Sequence, residues 1–165
     1  VAEGVWIEGG EIGRHRPDVT GRQRRQLLDH RGQRTRGDPV EARRAGAWLQ
    51  AHAGVPERVL CSPALRTRQT LAQIMAGAGD WPQPVFEPRI YEATLGTLRQ
   101  LLQEHAQVGR LWLIGHNPGL QQLSDFMAGR ALAHGLPTAG IVLFRSTAVG
   151  ALDADPAREI LQWAP

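Results

Sequence analysis

The 165-residue chain predicts an α/β fold, a three-layer sandwich with helices on both faces of a mostly parallel central sheet. Three observations predict it. Short apolar runs at 59–61, 111–114 and 141–144 alternate with longer segments whose apolar residues recur every three or four positions. Two of those runs end at corners that open a helix, Ser62-Pro63 and Asn117-Pro118. The length and the 42% hydrophobic content suit one core, so residues 1–165 are read as a single domain without internal repeats.

Taken in order, Gly4-Val5-Trp6-Ile7 predicts a first strand. Residues 8–40 hold few apolar residues and no clean period. A compact domain seldom carries more than about 15 residues without structure of their own, so this segment stands out as irregular or aberrant. Residues 41–52 predict a helix with Ala42, Ala45, Trp48 and Leu49 on one face. After the strand at 59–61, Ser62 is suited to cap a helix and Pro63 to its first turn, with Leu71, Ile74 and Met75 inward and Gly77 and Gly79 at its end. Residues 85–91 read as extended. Residues 94–106 read as a helix buried through Leu95, Leu98, Leu101 and Leu102. The strand at 111–114 leads into a helix with Leu120, Leu123 and Met127 on its apolar side, and strands follow at 141–144 and 160–163.

Composition narrows the function. All 19 basic residues are arginine, and the abundance of Arg, Ala and Gly points to a GC-rich, bacterial coding sequence. Ten arginines fall between Arg14 and Arg44 against Asp18, Asp29, Asp38 and Glu41, a local net charge of +6, which leaves −3 for the rest of a +3 chain. Such a run can bind nucleic acid, but a solvated surface is the preferred reading. Cys61 is the single cysteine, so no internal disulfide forms. No apolar leader opens the chain and no run is long enough to span a bilayer, which predicts a cytoplasmic protein with no membrane partner. His52, His105 and His134 lack ligand spacing, and no metal or other cofactor is expected.

The two corners carry the chemistry. In open α/β sheets, ligands lie outside the carboxyl ends of the strands, where helix N-termini present N–H groups and partial positive charge. Arg66, one turn into the helix after Ser62-Pro63, adds a planar cationic fork suited to phosphate oxygens. His116, at the end of the strand in LWLIGHNPGL, adds a donor when protonated. Together they predict a site for a phosphate-like anion. A cysteine-dependent phosphate loop does not fit, because Cys61 is separated from Arg66 by four residues and from Arg68 by six, where five are needed.

The chain resembles the histidine phosphatase superfamily, and most closely its small SixA-type phosphohistidine phosphatases. The resemblance rests on EARRAGAWL (41–49), RVLCSPALRTRQT (58–70), IYEA (90–93), LWLIGHNPGL (111–120) and LPTAGIVLF (136–144), in the order and spacing of that family. It implies a phosphoglycerate-mutase-like fold and a metal-independent hydrolysis in which a histidine takes the phosphoryl group and water then releases it. It also implies that Arg66 and His116 hold the phosphoryl oxygens and that Glu92 of IYEA is the general acid. The implied substrate is phosphohistidine on a protein or a small phosphate ester.

The family's nucleophile lies in an Arg-His-Gly motif after the first strand, and this sequence has no such motif. The nearest match is Arg14-His15-Arg16, 47 residues before Ser62, which makes His15 the candidate nucleophile and Arg14 the first phosphate-binding arginine. Asp29-His30-Arg31-Gly32 lies too close to Ser62. A third alignment puts Val5-Trp6-Ile7 on the first strand and leaves Glu8 and Gly9 where Arg and His belong, with no nucleophile. The abrupt change at residue 8, the arginine excess and the lost strand period suggest that residues 8 to about 40 are read in a shifted frame, the family sequence resuming at Glu41. Sequencing the coding DNA is expected to reveal, in another frame, an apolar strand followed by Arg-His-Gly. Two alternative frames that both lack it would remove the idea.

Overall fold

Side chains two residues apart share one face of a strand, and the strand Arg110–Gly115 shows how that sets the layers. Leu111 and Leu113 pack into one buried cluster, while Trp112 and Ile114 pack into a second on the opposite face. The computed structural model describes residues 2–8, 39–76, 81–133, 135–146 and 159–164. In them, strands β1 (Ala2–Glu8), β2 (Arg58–Cys61), β3 (Val85–Phe86), β4 (Arg110–Gly115), β5 (Ile141–Ser146) and β6 (Glu159–Trp163) form one sheet in the order β3-β2-β4-β1-β5-β6. The first four places in that order are parallel, and β5 and β6 are added antiparallel.

Helices cover both faces. α1 (Pro39–His52) and α2 (Leu65–Met75) bury Ala45, Leu49, Leu71 and Ile74 with Ile7, Val59, Trp112 and Leu143. α3 (Leu95–Glu104) and α4 (Gly119–Ala128) bury Leu98, Leu101, Leu102, Leu120, Leu123 and Met127 with Leu60, Leu113 and Phe144. The three- and four-residue spacing of these leucines makes each helix one-sided, and the sheet supplies the surface that the apolar side needs. α3 also begins as its sequence requires, with the Thr94 hydroxyl accepting from the Thr97 N–H at 3.2 Å. Among the described residues no helix is long and apolar enough to cross a membrane.

The sandwich and its mostly parallel sheet agree with the sequence reading, with three differences of detail. The first strand, expected at 4–7, spans Ala2–Glu8, and α1, expected from 41, starts at Pro39; residues 9–38, most of the segment read as irregular, lie outside the described residues. α2 begins at Leu65 behind an extended Ala64, and no side chain caps it. The hydroxyl of Ser62 is engaged elsewhere. Residues 85–91 are strand only at Val85–Phe86 and then close into a 3₁₀ turn, Pro88–Ile90. Pro88 has no N–H to continue a ladder, and the Glu87 carboxylate accepts from the Arg89 N–H at 3.0 Å to start the turn.

α1 and α2 approach closely at Gly46, where an added Cβ would stand 2.7 Å from the Ile74 carbonyl oxygen. At Gly96, near the exposed start of α3, an added Cβ would meet only the Thr94 hydroxyl, at an ordinary 3.8 Å. Gly46→Ala is therefore expected to cost about 1 to 2 kcal/mol through overpacking, whereas Gly96→Ala is expected to gain about 0.5 kcal/mol through reduced chain entropy. Urea denaturation of the two variants measures both signs.

Candidate functional site

The site exists because β2 and β4 are parallel neighbours. Their register pairs Cys61 with Ile114, so the two strands end side by side, and the Ser62 N–H donates to the Ile114 carbonyl at 2.9 Å. Residues beyond those ends meet although 50 or more positions separate them in sequence. Arg66, in the first turn of α2, reaches back across the edge as helical side chains do. Its Nε and Nη2 lie 3.1 and 2.8 Å from Nδ1 of His116. The other ring nitrogen, Nε2, lies 2.7 Å from the Ser62 hydroxyl. The structure thus brings the two predicted cationic residues into direct contact.

Donor and acceptor arithmetic fixes the state of the ring. A guanidinium has only donors, so Nδ1 must offer its lone pair. A neutral imidazole then carries its proton on Nε2, which donates to the Ser62 oxygen. His116 is only 6% exposed. Burial, and after it the nearby Arg66 charge, pull its pKa from 6.5 down to about 4. In this structure His116 Nδ1 is a neutral acceptor, not the protonated donor that the residue type alone suggests.

The segment after the 3₁₀ turn forms the rim. The Tyr91 ring stands edge-on to His116, with centroids 5.5 Å apart and planes at 83°. Gly119 permits this close passage, since a Cβ there would run into the Ala93 carbonyl. Glu92, between them, is exposed and holds a φ of +52°, a left-handed conformation that costs a non-glycine residue free energy. Such strain persists where the surrounding structure imposes it. The predicted acid follows in the chain directly after Tyr91, whose ring meets His116.

Supporting contacts hold the corners. Thr67 Oγ1 donates to the carbonyls of Ser62 and Ala64 at 2.9 and 2.8 Å. Asn117 Nδ2 donates to the Leu136 carbonyl at 2.6 Å while its Oδ1 accepts from the Gln121 N–H at 3.1 Å, which ties the start of α4 to the loop before β5. Sequence reasoning missed Ser62, Tyr91, Thr67 and Asn117 as site residues. The only available signal was the repetition of a polar residue immediately after two parallel strands. Arg68 stacks over the Phe86 ring at 5.0 Å. Cys61 is buried and its thiol is pushed up to about 12 by that burial, which leaves no thiolate at neutral pH. Among the described residues no three His, Cys, Asp or Glu side chains gather to hold a metal. Arg14 and His15 lie outside the described residues. β1 ends at Glu8, whose strand partner is Gly115, so the chain leaves the sheet at the same edge as His116.

No family model matches the chain. The uncharacterized protein Rv1276c of Mycobacterium tuberculosis is 31% identical over 115 residues, covering 64% of this chain and 70% of its own. Among solved structures, SixA from Agrobacterium tumefaciens superposes with a TM-score of 0.70 at 20% identity, covering 99% of both chains. A protein histidine phosphatase SixA in complex with tungstate superposes with a TM-score of 0.63 at 20% identity, covering 86% of each.

The buried ring makes a prediction about stability. As pH falls through 6.5, the unfolded imidazole takes a proton, whereas folded His116 stays neutral down to about 4. The folded state therefore loses relative stability across that window, by about 2 kcal/mol between pH 7 and pH 5. His116→Gln is expected to flatten the slope by that amount. Urea titrations of both proteins at the two pH values check it.

Proposed function

This chain belongs to one family with the mycobacterial protein Rv1276c and has the phosphoglycerate-mutase-like α/β fold of the histidine phosphatase superfamily, and from that premise we propose that it is a phosphohistidine phosphatase working through a phosphohistidine on the enzyme. The observation that carries this reading is the meeting of Arg66 and His116, drawn from separate β-to-α corners to within 2.8 Å. A cationic fork and a ring nitrogen converge there outside the carboxyl ends of parallel strands, where a tetrahedral oxyanion is best stabilised. The tungstate held by one SixA neighbour is an anion of that shape and lends support.

In the proposed reaction the substrate phosphoryl group takes the Arg66 hydrogen bonds now spent on His116. Its negative charge offsets the arginine and raises the proton affinity of Nδ1, so His116 becomes a donor to a phosphoryl oxygen. Arg14 supplies the second fork. A ring nitrogen of His15 attacks phosphorus in line, forming the N–P bond as the bond to the leaving atom breaks, and Glu92 protonates that atom. Water then attacks phosphorus, the Glu92 carboxylate takes its proton, and cleavage of the N–P bond returns His15 and inorganic phosphate. Positioning and charge stabilisation supply most of the acceleration in such transfers. The reaction uses no cofactor. The exposed Leu65 and Tyr91, at 61% and 49% accessibility, favour a phosphorylated protein surface in a bacterial cytoplasm over a small ester.

A second reading has its own observation. β1 carries no histidine and ends in Glu8, so the strand end nearest His116 has no imidazole of its own. On that reading the protein binds phosphate or phosphoprotein without turnover.

Incubation with a phosphohistidine protein labelled in the phosphoryl group separates the two. The phosphatase reading expects acid-labile label on the enzyme, lost in His15→Ala, and a fall in kcat/KM of about a hundred- to a thousandfold in Arg66→Ala. Vanadate binding with neither label nor turnover supports the binder. Label that survives in His15→Ala contradicts the assigned nucleophile.

A further inference from the structure

Ser62 touches the His116 ring opposite Arg66, and its side chain is fully buried. A cap for α2 is the ordinary task of a serine at such a corner, but α2 has no side-chain cap. The hydroxyl oxygen stands 3.4 Å from the Ala64 nitrogen and 2.7 Å from His116 Nε2, so its short contact is with the ring. The backbone of Ser62 is itself fixed, its N–H on the Ile114 carbonyl at 2.9 Å and its carbonyl under the Thr67 hydroxyl at 2.9 Å. A hydroxyl held at both ends of its own peptide unit offers the ring a stationary acceptor.

We propose that Ser62 is a positioning residue that holds the His116 ring so that Nδ1, and not Nε2, faces Arg66 and an entering oxyanion. The inference rests on the phosphatase reading and deepens it. In this structure Arg66 faces Nδ1, because its donors demand a bare nitrogen. Once an oxyanion takes those donors, that demand ends, and the contact at Nε2 still fixes the orientation of the ring. Nε2–H donates to Ser62 in the neutral ring and in the cation alike. The incoming proton therefore lands on Nδ1, the nitrogen that faces Arg66, and the ring need not turn. Arg66 from α2 is the charged group that contacts the ring, and Tyr91 from the rim meets its face without a hydrogen bond. Without the serine oxygen, the hydrogen bond that anchors the ring at Nε2 is lost.

The first test needs no variant. Nitrogen-15 NMR of the free protein is expected to show His116 as the Nε2–H tautomer, and saturating vanadate is expected to protonate Nδ1 while the Nε2 signal stays hydrogen-bonded. A free protein in the Nδ1–H form, with vanadate binding intact, overturns the role of Ser62 alone. In Ser62→Ala the Nε2–H signal is expected to shift to that of a ring without this hydrogen bond and vanadate affinity to fall about tenfold, the loss of one hydrogen bond. Ser62→Thr, which keeps the oxygen, is expected to restore both. An unshifted Nε2–H signal in Ser62→Ala, with unchanged vanadate affinity, also overturns it. Wild-type protein that shows the Nε2–H form but binds neither vanadate nor phosphate supports the tautomer assignment and overturns the phosphatase reading instead.

Discussion

A permanently charged guanidinium aimed at the lone pair of a buried, neutral imidazole is the constraint around which the rest of the molecule is arranged. The pair is poised. Burial and, after it, Arg66 keep His116 unprotonated, and His116 occupies donors that would otherwise seek an anion. An entering oxyanion reverses both conditions, since it satisfies the guanidinium better than a ring nitrogen does and makes a second cation tolerable. Recognition and protonation are thereby coupled in one contact.

The sheet is what makes that contact possible. Parallel pairing of β2 with β4 puts two strand ends on one edge, and the helices that follow must cross back over opposite faces, α2 on one and α4 on the other. The leucines of α4 and the Leu71 and Ile74 pair of α2 settle these positions through burial, independently of any ligand. The site residues can then be polar and strained at little risk to the fold. Glu92 with its positive φ and the fully buried Ser62 are both features that the surrounding packing sustains.

Much of this was legible in the sequence because it is local. The alternation of LWLI and the spacing of Leu98, Leu101 and Leu102 are one-dimensional records of the faces they bury. The corners were legible too, since Pro and Asn punctuate them. The role of Ser62 was not, because a cap and a ring acceptor look alike until the partner 54 residues away is known. The end of the extended run at Phe86 depended on Pro88 and a carboxylate two residues from its target, a competition that propensity alone does not rank. The positive φ of Glu92 leaves no trace in residue type. The neutral state of His116 in this structure was not legible for a related reason: burial and Arg66 together outweigh the ordinary basicity of an imidazole. Arg14 and His15, with no periodic strand leading into them, gave no such local record.

A crystal structure of the protein soaked with vanadate tests the central claim most directly. The account expects one vanadate whose oxygens lie within hydrogen-bond distance of both the Arg66 guanidinium and His116 Nδ1, with the direct bond between the two side chains gone. Vanadate bound at another place, or an Arg66–His116 contact left undisturbed at saturation, would contradict it.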